Sequence, residues 1–192
     1  MSSASFGTVI PVTALNLGFL GNVSRIGERV IAARQVLPTA LSPISFGDGV
    51  VIVSNAVGGY YQQIGDFIAG GGTFTAAKFA GVAVRNVKTM LIYTALSPIQ
   101  TPQIGQYAAS QMAEALERGS VTVKINNGSP TSQGPVFVRT VVNGTIPAGV
   151  VGGFEAIADG TNTVQLTGVV FRTGVIDANG IAEITLLSRV AA

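Results

Sequence analysis

Four Asn-Gly or Asp-Gly pairs separate runs of β-branched and aromatic residues in the second half of the chain. They lie roughly 16 to 20 residues apart, at 127–128, 143–144, 159–160 and 179–180. Tight turns between antiparallel strands require positive φ angles, which asparagine, aspartate and glycine adopt most readily. The pattern therefore predicts a series of antiparallel hairpins. The predicted strand runs are 121–125, 135–142, 153–158, 164–166, 169–172 and 181–187, with Gly168 as a β-bulge.

The middle of the chain carries two further apolar runs of strand length. Residues 50–53 form a short continuous apolar run between turn signals. Residues 79–85 share a pattern with 166–172, in which a glycine precedes an alternating strand that ends in arginine. Together the runs predict an all-β fold, an antiparallel β-sandwich or barrel with at most one or two short helices. We divide the chain into an N-terminal arm, residues 1–40, and a β-rich core domain, residues 41–192.

Two segments are candidates for helices. In residues 101–119, Thr101 suits a helix cap, Pro102 suits the first helical position and Gly119 suits the end. Residues 22–36 fit either an amphipathic helix or an extended arm that orders against a partner. The apolar face of the first helix would consist of Ile104, Ala108, Met112, Ala115 and Leu116.

The scarcity of charge indicates an assembly. Only 10% of the residues are charged, against about 25% in an ordinary soluble domain. A globule of this mass exposes roughly 8,500 Å². Its 11 basic and 9 acidic side chains would lie about one per 430 Å², and the mean hydropathy is +0.51. We therefore expect a homo-oligomer, a dimer or trimer, or a component of a larger assembly.

The residue types that are missing exclude most common catalytic centres. Without cysteine there is no thiol nucleophile, disulfide or cysteine zinc site, and without histidine there is no Ser-His-Asp triad or HExxH metal site. A net charge of +2 is too small to indicate a nucleic-acid-binding protein. The apolar stretch 9–20 is shorter than the ~20 residues of a membrane helix. We expect no catalytic, cofactor-binding or metal-binding residues, and neither nucleic acid, membrane nor small-molecule substrate as a partner.

Paired carboxylates are the one catalytic arrangement that the composition leaves open. A glycosidase needs two of them on opposite sides of one bond. Three of the candidates precede turns, where aspartate is favoured because it bonds to its own backbone. The turn 177–180 lacks the glycine position and the final acidic ligand of a calcium loop, so structural use is the preferred interpretation. The candidates are Asp48, Asp66, Glu155, Asp159, Asp177 and Glu183.

Two sets of arginines and one repeated hexapeptide each allow two interpretations. The first arginine set fits a stripe toward an acidic partner or, preferably, a solvated helix face. The second set follows apolar strand runs and fits strand ends in solvent or interface anchors. The hexapeptide Thr-Ala-Leu-Ser-Pro-Ile at 39–44 and 94–99 fits strand crossings, which we prefer, or a duplicated docking site. The sets are Arg25, Arg29 and Arg34, and Arg85, Arg139 and Arg172.

Several segments, in this order, resemble the structural cement proteins of tailed bacteriophage heads. They are residues 44–51, 79–85, 118–124, 135–139, 158–164 and 177–186, and the resemblance covers about residues 44 to 190. It implies a β-rich, jelly-roll-like or barrel-like protein that binds an expanded capsid and bridges neighbouring major capsid protein subunits. It also implies strand where the helix ends near Arg118. The first 40 residues match no pattern of the family, and no functional residue carries over.

We therefore expect a non-enzymatic capsid cement or decoration protein. Its partners would be the major capsid protein and further copies of itself, on the capsid surface of a virion assembled in the host cytoplasm. The alternatives are another virion subunit such as a tail or spike protein, a surface or membrane β-protein and, last, a carboxylate-dependent hydrolase.

Overall fold

The computed structural model describes residues 17–25, 27, 29–54, 58–85 and 105–188. In this part the chain forms eleven strands, one short α-helix and two turns of 3-10 helix, at Ala76–Lys78 and Gly160–Asn162. The all-β prediction is confirmed. The elements are β1 (Val30–Gln35), β2 (Ile44–Ser45), β3 (Gly49–Val53), β4 (Tyr60–Gln63), α1 (Ile64–Ala69), β5 (Phe79–Ala83), β6 (Gln106–Tyr107), β7 (Met112–Lys124), β8 (Pro135–Arg139), β9 (Phe154–Glu155), β10 (Thr163–Ile176) and β11 (Ile181–Leu186).

The strands form one nine-stranded sheet and one small sheet of β2 and β6. The large sheet has the order β4-β3-β5-β7-β11-β10-β8-β9, and β1 pairs with β7 outside this order. All of these strand pairs are antiparallel. An antiparallel sheet of this size buries its apolar faces by bending around its own core, which is the arrangement of a sandwich or barrel.

Strand β7 is the centre of the large sheet. It pairs with β5 along its first part, at Val82 and Leu116, and with β11 along its second part, from Lys124 to Gly119. Residues 21–24 and β1 also run along β7, through bonds such as Ser24 N–H to Ser120 O (3.1 Å). Part of the segment predicted as an arm is therefore built into the sheet. Because β1 is extended, the helical alternative for residues 22–36 is wrong.

Two clusters of buried apolar side chains lie on opposite faces of β3, β5 and β7. Val51 and Leu116 belong to the larger cluster, whereas their neighbours Val50 and Ala115 belong to the smaller one. Successive side chains of a strand point to opposite faces, so these strands are covered on both sides. This explains why residues 50–53 form a continuous apolar run. Each large apolar side chain buried here stabilises the fold by roughly 1.5–3 kcal/mol.

One predicted turn joins two strands as a tight hairpin. The pair 179–180 lies between β10 and β11, where Asp177 N–H donates to Ile181 O (2.9 Å) and Gly180 has a φ of 76°. The predicted bulge at Gly168 is also present, because the register between β10 and β8 shifts between residues 165 and 170. Both predictions are confirmed, since each depends on a local positive φ that the residue type favours.

The other three turn pairs do not close tight hairpins, so this part of the prediction is wrong. The pair 127–128 follows β7, which is not a neighbour of β8. The pair 159–160 leads into a 3-10 turn, and the pair 143–144 lies within the long connection between β8 and β9. Turn residues specify the local backbone, but they do not specify which strands pair afterwards.

The helix predicted over residues 101–119 is wrong. Residues 101–104 lie outside the described residues, and the rest contributes β6 and the first part of β7. Strands β1 and β5 pair with that part of β7 on its two edges, and such non-local pairing overrides local helix signals. Among the described residues, no helix is long and apolar enough to cross a membrane.

Gly81 lies where β5 comes closest to β7. Its φ is 153°, and a Cβ atom at this position would overlap the carbonyl oxygen of Leu116. We expect Gly81→Ala to lower the free energy of unfolding by about 2–4 kcal/mol, because the backbone of one strand must move. Urea unfolding measures the change. Gly144→Ala, whose Cβ would meet nothing within 4 Å, is the control, and an equal effect of both variants would contradict the prediction.

Candidate functional site

An open groove of about 900 Å³ lies beside α1. Its walls come from residues 41–42 between β1 and β2, residues 63–69 in and before α1, and the two ends of the connection between β8 and β9, residues 140–142 and 149–151. We call it the Leu41 groove. Four apolar side chains at its walls are more than half exposed. They are Leu41 (84%), Val142 (72%), Val150 (56%) and Val141 (51%).

Leu41 is exposed although its backbone is anchored. Its N–H donates to Oδ2 of Asp66 (3.3 Å), and the same oxygen accepts a bond from Nε2 of Gln62 (2.7 Å). Asp66 is only 5% exposed, and among the described residues that line the groove it is the one ionisable side chain. Because its carboxylate is buried and bonded, the described residues give the groove a mostly apolar open surface without an exposed charge, in which Ser42, Gln63 and Thr140 are the polar side chains. Such a surface favours an apolar, uncharged occupant.

Leu41 belongs to the first copy of the repeated hexapeptide. Residues 39–43 cross from β1 to β2, as the sequence predicts, and Ile44 is fully buried in the smaller cluster. A crossing alone would not require its leucine to remain in water. The second copy, residues 94–99, lies outside the described residues.

A buried ion cluster anchors the opposite wall of the groove. The guanidinium of Arg139 pairs with Glu155, from Nη2 to Oε2 (2.9 Å), and donates from Nη1 to Oδ2 of Asp159 (2.8 Å). The side chains of Arg139 and Glu155 are 0% exposed. Nη1 also donates to the carbonyl oxygen of Val141 (3.2 Å). The cluster therefore fixes the start of the connection between β8 and β9, which carries the exposed valines.

Charge-assisted hydrogen bonds stabilise the ionised forms within this cluster. The hydrogen bonds that Arg139 donates to Glu155 and Asp159 raise the pKa of Arg139 above its usual value, against the effect of burial. Hydrogen bonds from Asn143 and Arg139 lower the pKa of Asp159. Asn143 Nδ2 lies 2.9 Å from Oδ2 of Asp159. Both shifts favour the ionised forms of Arg139 and Asp159, and the bonds between the three side chains hold the connection in place.

Asp48 lines a smaller cavity of about 270 Å³ next to the Leu41 groove, and Gln63 and Val150 line both. Its Oδ2 accepts a hydrogen bond from Ser45 N–H (2.9 Å). Burial nevertheless raises the pKa of Asp48 to about 6. The folded protein therefore binds a proton at this carboxyl between about pH 4 and 6, where the unfolded chain does not.

This raised pKa makes the ionised Asp48 a destabilising group above pH 6. The contribution of Asp48 to the free energy of unfolding falls as the pH rises from 4 to 6, because protonation of Asp48 favours the folded state there. We expect Asp48→Asn to stabilise the protein by about 2 kcal/mol at pH 7.5 and by almost nothing below pH 4. Thermal unfolding of both proteins across this range measures the difference. A difference that does not change with pH would contradict the prediction.

The other candidate carboxylates serve the fold. Asp177 accepts hydrogen bonds from the N–H groups of Leu17, Asn179 and Ile181; they outweigh burial and lower its pKa. Glu183 lies on β11, where it accepts hydrogen bonds from Ser24 and Arg25. Each of the six carboxylates has hydrogen-bond partners. No group of three metal-ligating side chains occurs among the described residues.

The arginines follow neither interpretation uniformly. Arg25 pairs with Glu183 (2.8 Å), where its hydrogen bond and that of Ser24 outweigh burial and lower the pKa of Glu183. Arg85 is exposed and stacks over the ring of Phe19 at 4.1 Å. For Arg139, both the strand end in solvent and the interface anchor are wrong, because its side chain is fully buried.

The sequence does not predict the walls of the Leu41 groove. Its apolar pattern predicts a strand over residues 135–142, but β8 ends at residue 139 and both Val141 and Val142 are exposed. Both valines continue the apolar pattern of the strand, so nothing in the sequence indicates that they are exposed in a groove. The hexapeptide repeat was the only sequence feature that marked Leu41.

Comparison with known proteins identifies the family. The model described as "Structural cement protein (E217 gp24/Pam3 gp6)" matches residues 10–187. The chain belongs to the structural cement protein family. The match confirms the resemblance. It also includes residues 10–40, so the prediction that the first 40 residues match no pattern of the family is wrong for that part. Family membership indicates a structural role in the phage capsid and a place in the virion.

Solved structures agree on the fold of this cement protein. Four chains match, and one comes from a structure titled "The capsid of Myoviridae Phage XM1". It has a TM-score of 0.58 and 16% sequence identity, and the alignment covers 95% of this chain and 98% of that one. At 16% sequence identity, this similarity shows that the two chains share a fold and nothing further. No curated protein sequence matches the chain.

Proposed function

We propose that this cement protein binds the surface of the assembled phage head and bridges neighbouring major capsid protein subunits, without catalysing a reaction. The observation that carries the proposal is the Leu41 groove. It presents four exposed apolar side chains on an anchored framework, and its described lining includes no exposed charged side chain. A surface of this kind gains free energy when it is covered by another protein.

Bridging requires buried area and complementary shape rather than reactive groups, and the Leu41 groove offers apolar area that a partner can bury. Each exposed leucine or valine of the groove contributes roughly 1.5–3 kcal/mol when it is fully buried in a contact. The same contact recurs at every equivalent position of a symmetric shell. Modest binding at one position therefore adds up to a large stabilisation of the whole head.

The remaining parts of the proposal concern partners and place. The protein assembles with the head in the host cytoplasm, forms a homo-oligomer and requires neither nucleic acid, membrane, cofactor nor small molecule. The sparse charge of the chain supports this choice of partners. The engagement of all six candidate carboxylates in internal bonds argues against a hydrolase.

Co-sedimentation tests the proposal. Purified protein is added to expanded heads that lack it, and to unexpanded shells, at salt concentrations from roughly 0.05 to 0.5 M. We expect it to pellet with the expanded heads at all of these salt concentrations, because few charges take part. Decorated heads should also release their DNA at a higher temperature than bare heads. Protein that remains in the supernatant with expanded heads would refute the proposal.

A further inference from the structure

Strand β1 directs its backbone groups alternately to its two edges. Val36, next to the strand, donates its N–H to Gln111 O (2.8 Å) and accepts at its carbonyl from Ser110 N–H (3.2 Å). Both partners are on the β7 side. Since consecutive residues of an antiparallel strand alternate in direction, the N–H and C=O groups of Ile31 and Ala33 point to the opposite edge.

In the part of the chain that the structure describes, that opposite edge has no partner strand along the first part of β1. Strand β4 reaches it only near the end of β1, where Leu37 N–H donates to Tyr61 O (2.9 Å). Within the described residues, β7 is the only strand that pairs with β1. Ala33 is exposed, and the side chains of Val30 and Ile31 are 48% and 38% exposed. Among the described residues, no strand therefore pairs with the two backbone donors and two backbone acceptors of Ile31 and Ala33 on this edge, which lies beside exposed apolar side chains.

Edge strands that face water are usually protected against pairing with other chains by proline, lysine or a bulge. Residues 30–33 have the sequence Val-Ile-Ala-Ala and contain neither proline nor lysine. The register between β1 and β7 shifts between Val30 and Ile31, but the extra residue lies on β7 and not on β1. An unprotected edge strand is a template for a strand from another molecule.

We propose that β1 pairs antiparallel with β1 of a second copy of this chain, across a two-fold axis at Ala32. Ile31 of each copy then lies opposite Ala33 of the other. Each of these two residue pairs forms two backbone hydrogen bonds, so four form in total. The proposal rests on the homo-oligomer part of the proposed function and specifies it as a dimer. It is independent of the face that binds the shell.

Self-pairing suits this strand better than pairing with an unrelated one. In this register Arg34, the only charged residue of β1, lies opposite Val30 of the second copy, so no like charges meet. The two alanines at the axis are small and let the strands approach closely. A two-fold arrangement also closes on itself, because both copies contribute the same residues.

Proline at position 33 tests the open edge. Ala33→Pro removes an N–H that points away from β7, so it leaves the internal hydrogen bonds intact, and proline is tolerated at such edge positions. We expect the wild-type protein to sediment as a dimer and the variant to associate roughly tenfold or more weakly. An unchanged circular dichroism spectrum would show that the variant is folded. A folded variant that dimerises like the wild type, or a wild type that is monomeric, would overturn the proposal.

A cysteine at the axis tests the register without weakening the interface. The chain has no cysteine of its own, and residues that face each other in a non-hydrogen-bonded pair lie about 4.5 Å apart between Cα atoms, within disulfide range. We expect Ala32→Cys to form covalent dimers on oxidation. Ala178→Cys, in the exposed turn before β11, is the control. Equal cross-linking of both variants would overturn the proposal, whereas binding to heads would still be judged by co-sedimentation.

Discussion

Arg139→Met should lower the free energy of unfolding by about 3–5 kcal/mol, because it leaves the carboxylate of Glu155 buried without its cation. Both side chains are 0% exposed, so water cannot replace the lost partner. For a domain of this size the melting temperature should fall by roughly 10 °C. Calorimetry or thermal circular dichroism measures the change.

Two controls separate a missing partner from a general loss of arginine. Arg172→Met, at an exposed position of β10, should change the free energy of unfolding by less than about 0.5 kcal/mol. Adding Glu155→Gln to Arg139→Met should recover part of the loss, because the uncompensated charge disappears. If the single variant is as stable as the wild type, the ion cluster does not support the connection between β8 and β9.

Leu41→Asp should reduce binding to expanded heads by roughly 100-fold or more, because it places a charge where the contact excludes water. Stability should change by less than about 0.5 kcal/mol, since the side chain is 84% exposed in the free protein. Titration of labelled protein onto heads, with separation by sedimentation, measures the affinity. The combination of lost binding and intact folding distinguishes an interface residue from a structural one.

Leu187→Asp is the matched control for this variant. Leu187 is also an exposed leucine, at 54%, but it follows β11 and does not line the Leu41 groove. We expect Leu187→Asp to bind heads like the wild type. If both variants bind normally, the groove does not contact the shell; if both fail, exposed apolar residues act without a specific site.

Features that depend on one local backbone conformation could be predicted from the sequence. The turn at 179–180 and the bulge at Gly168 follow from residues that adopt positive φ. The continuous run 50–53 likewise became a strand covered on both faces. By contrast, residues 112–118 satisfy a helical spacing and become strand only because β1 and β5 pair with both edges. Such pairing is decided by distant segments.

The candidate site was beyond the reach of sequence patterns for the same reason. Leu41, α1 and residues 141–142 are far apart along the chain, and only the fold brings them to one groove. The burial of Arg139 depends on Glu155 and Asp159, which β9 and the following loop bring to it. The resemblance to cement proteins indicated the family, but it carried no residue of the groove. The division into an arm and a core remains a prediction.

A cryo-electron microscopy reconstruction of decorated heads tests the central claim most directly. The account predicts that Leu41 and Val142 lie within about 4.5 Å of side chains of the major capsid protein, at a boundary between two of its subunits. A reconstruction in which the Leu41 groove faces solvent, while another face of the protein contacts the shell, would contradict it.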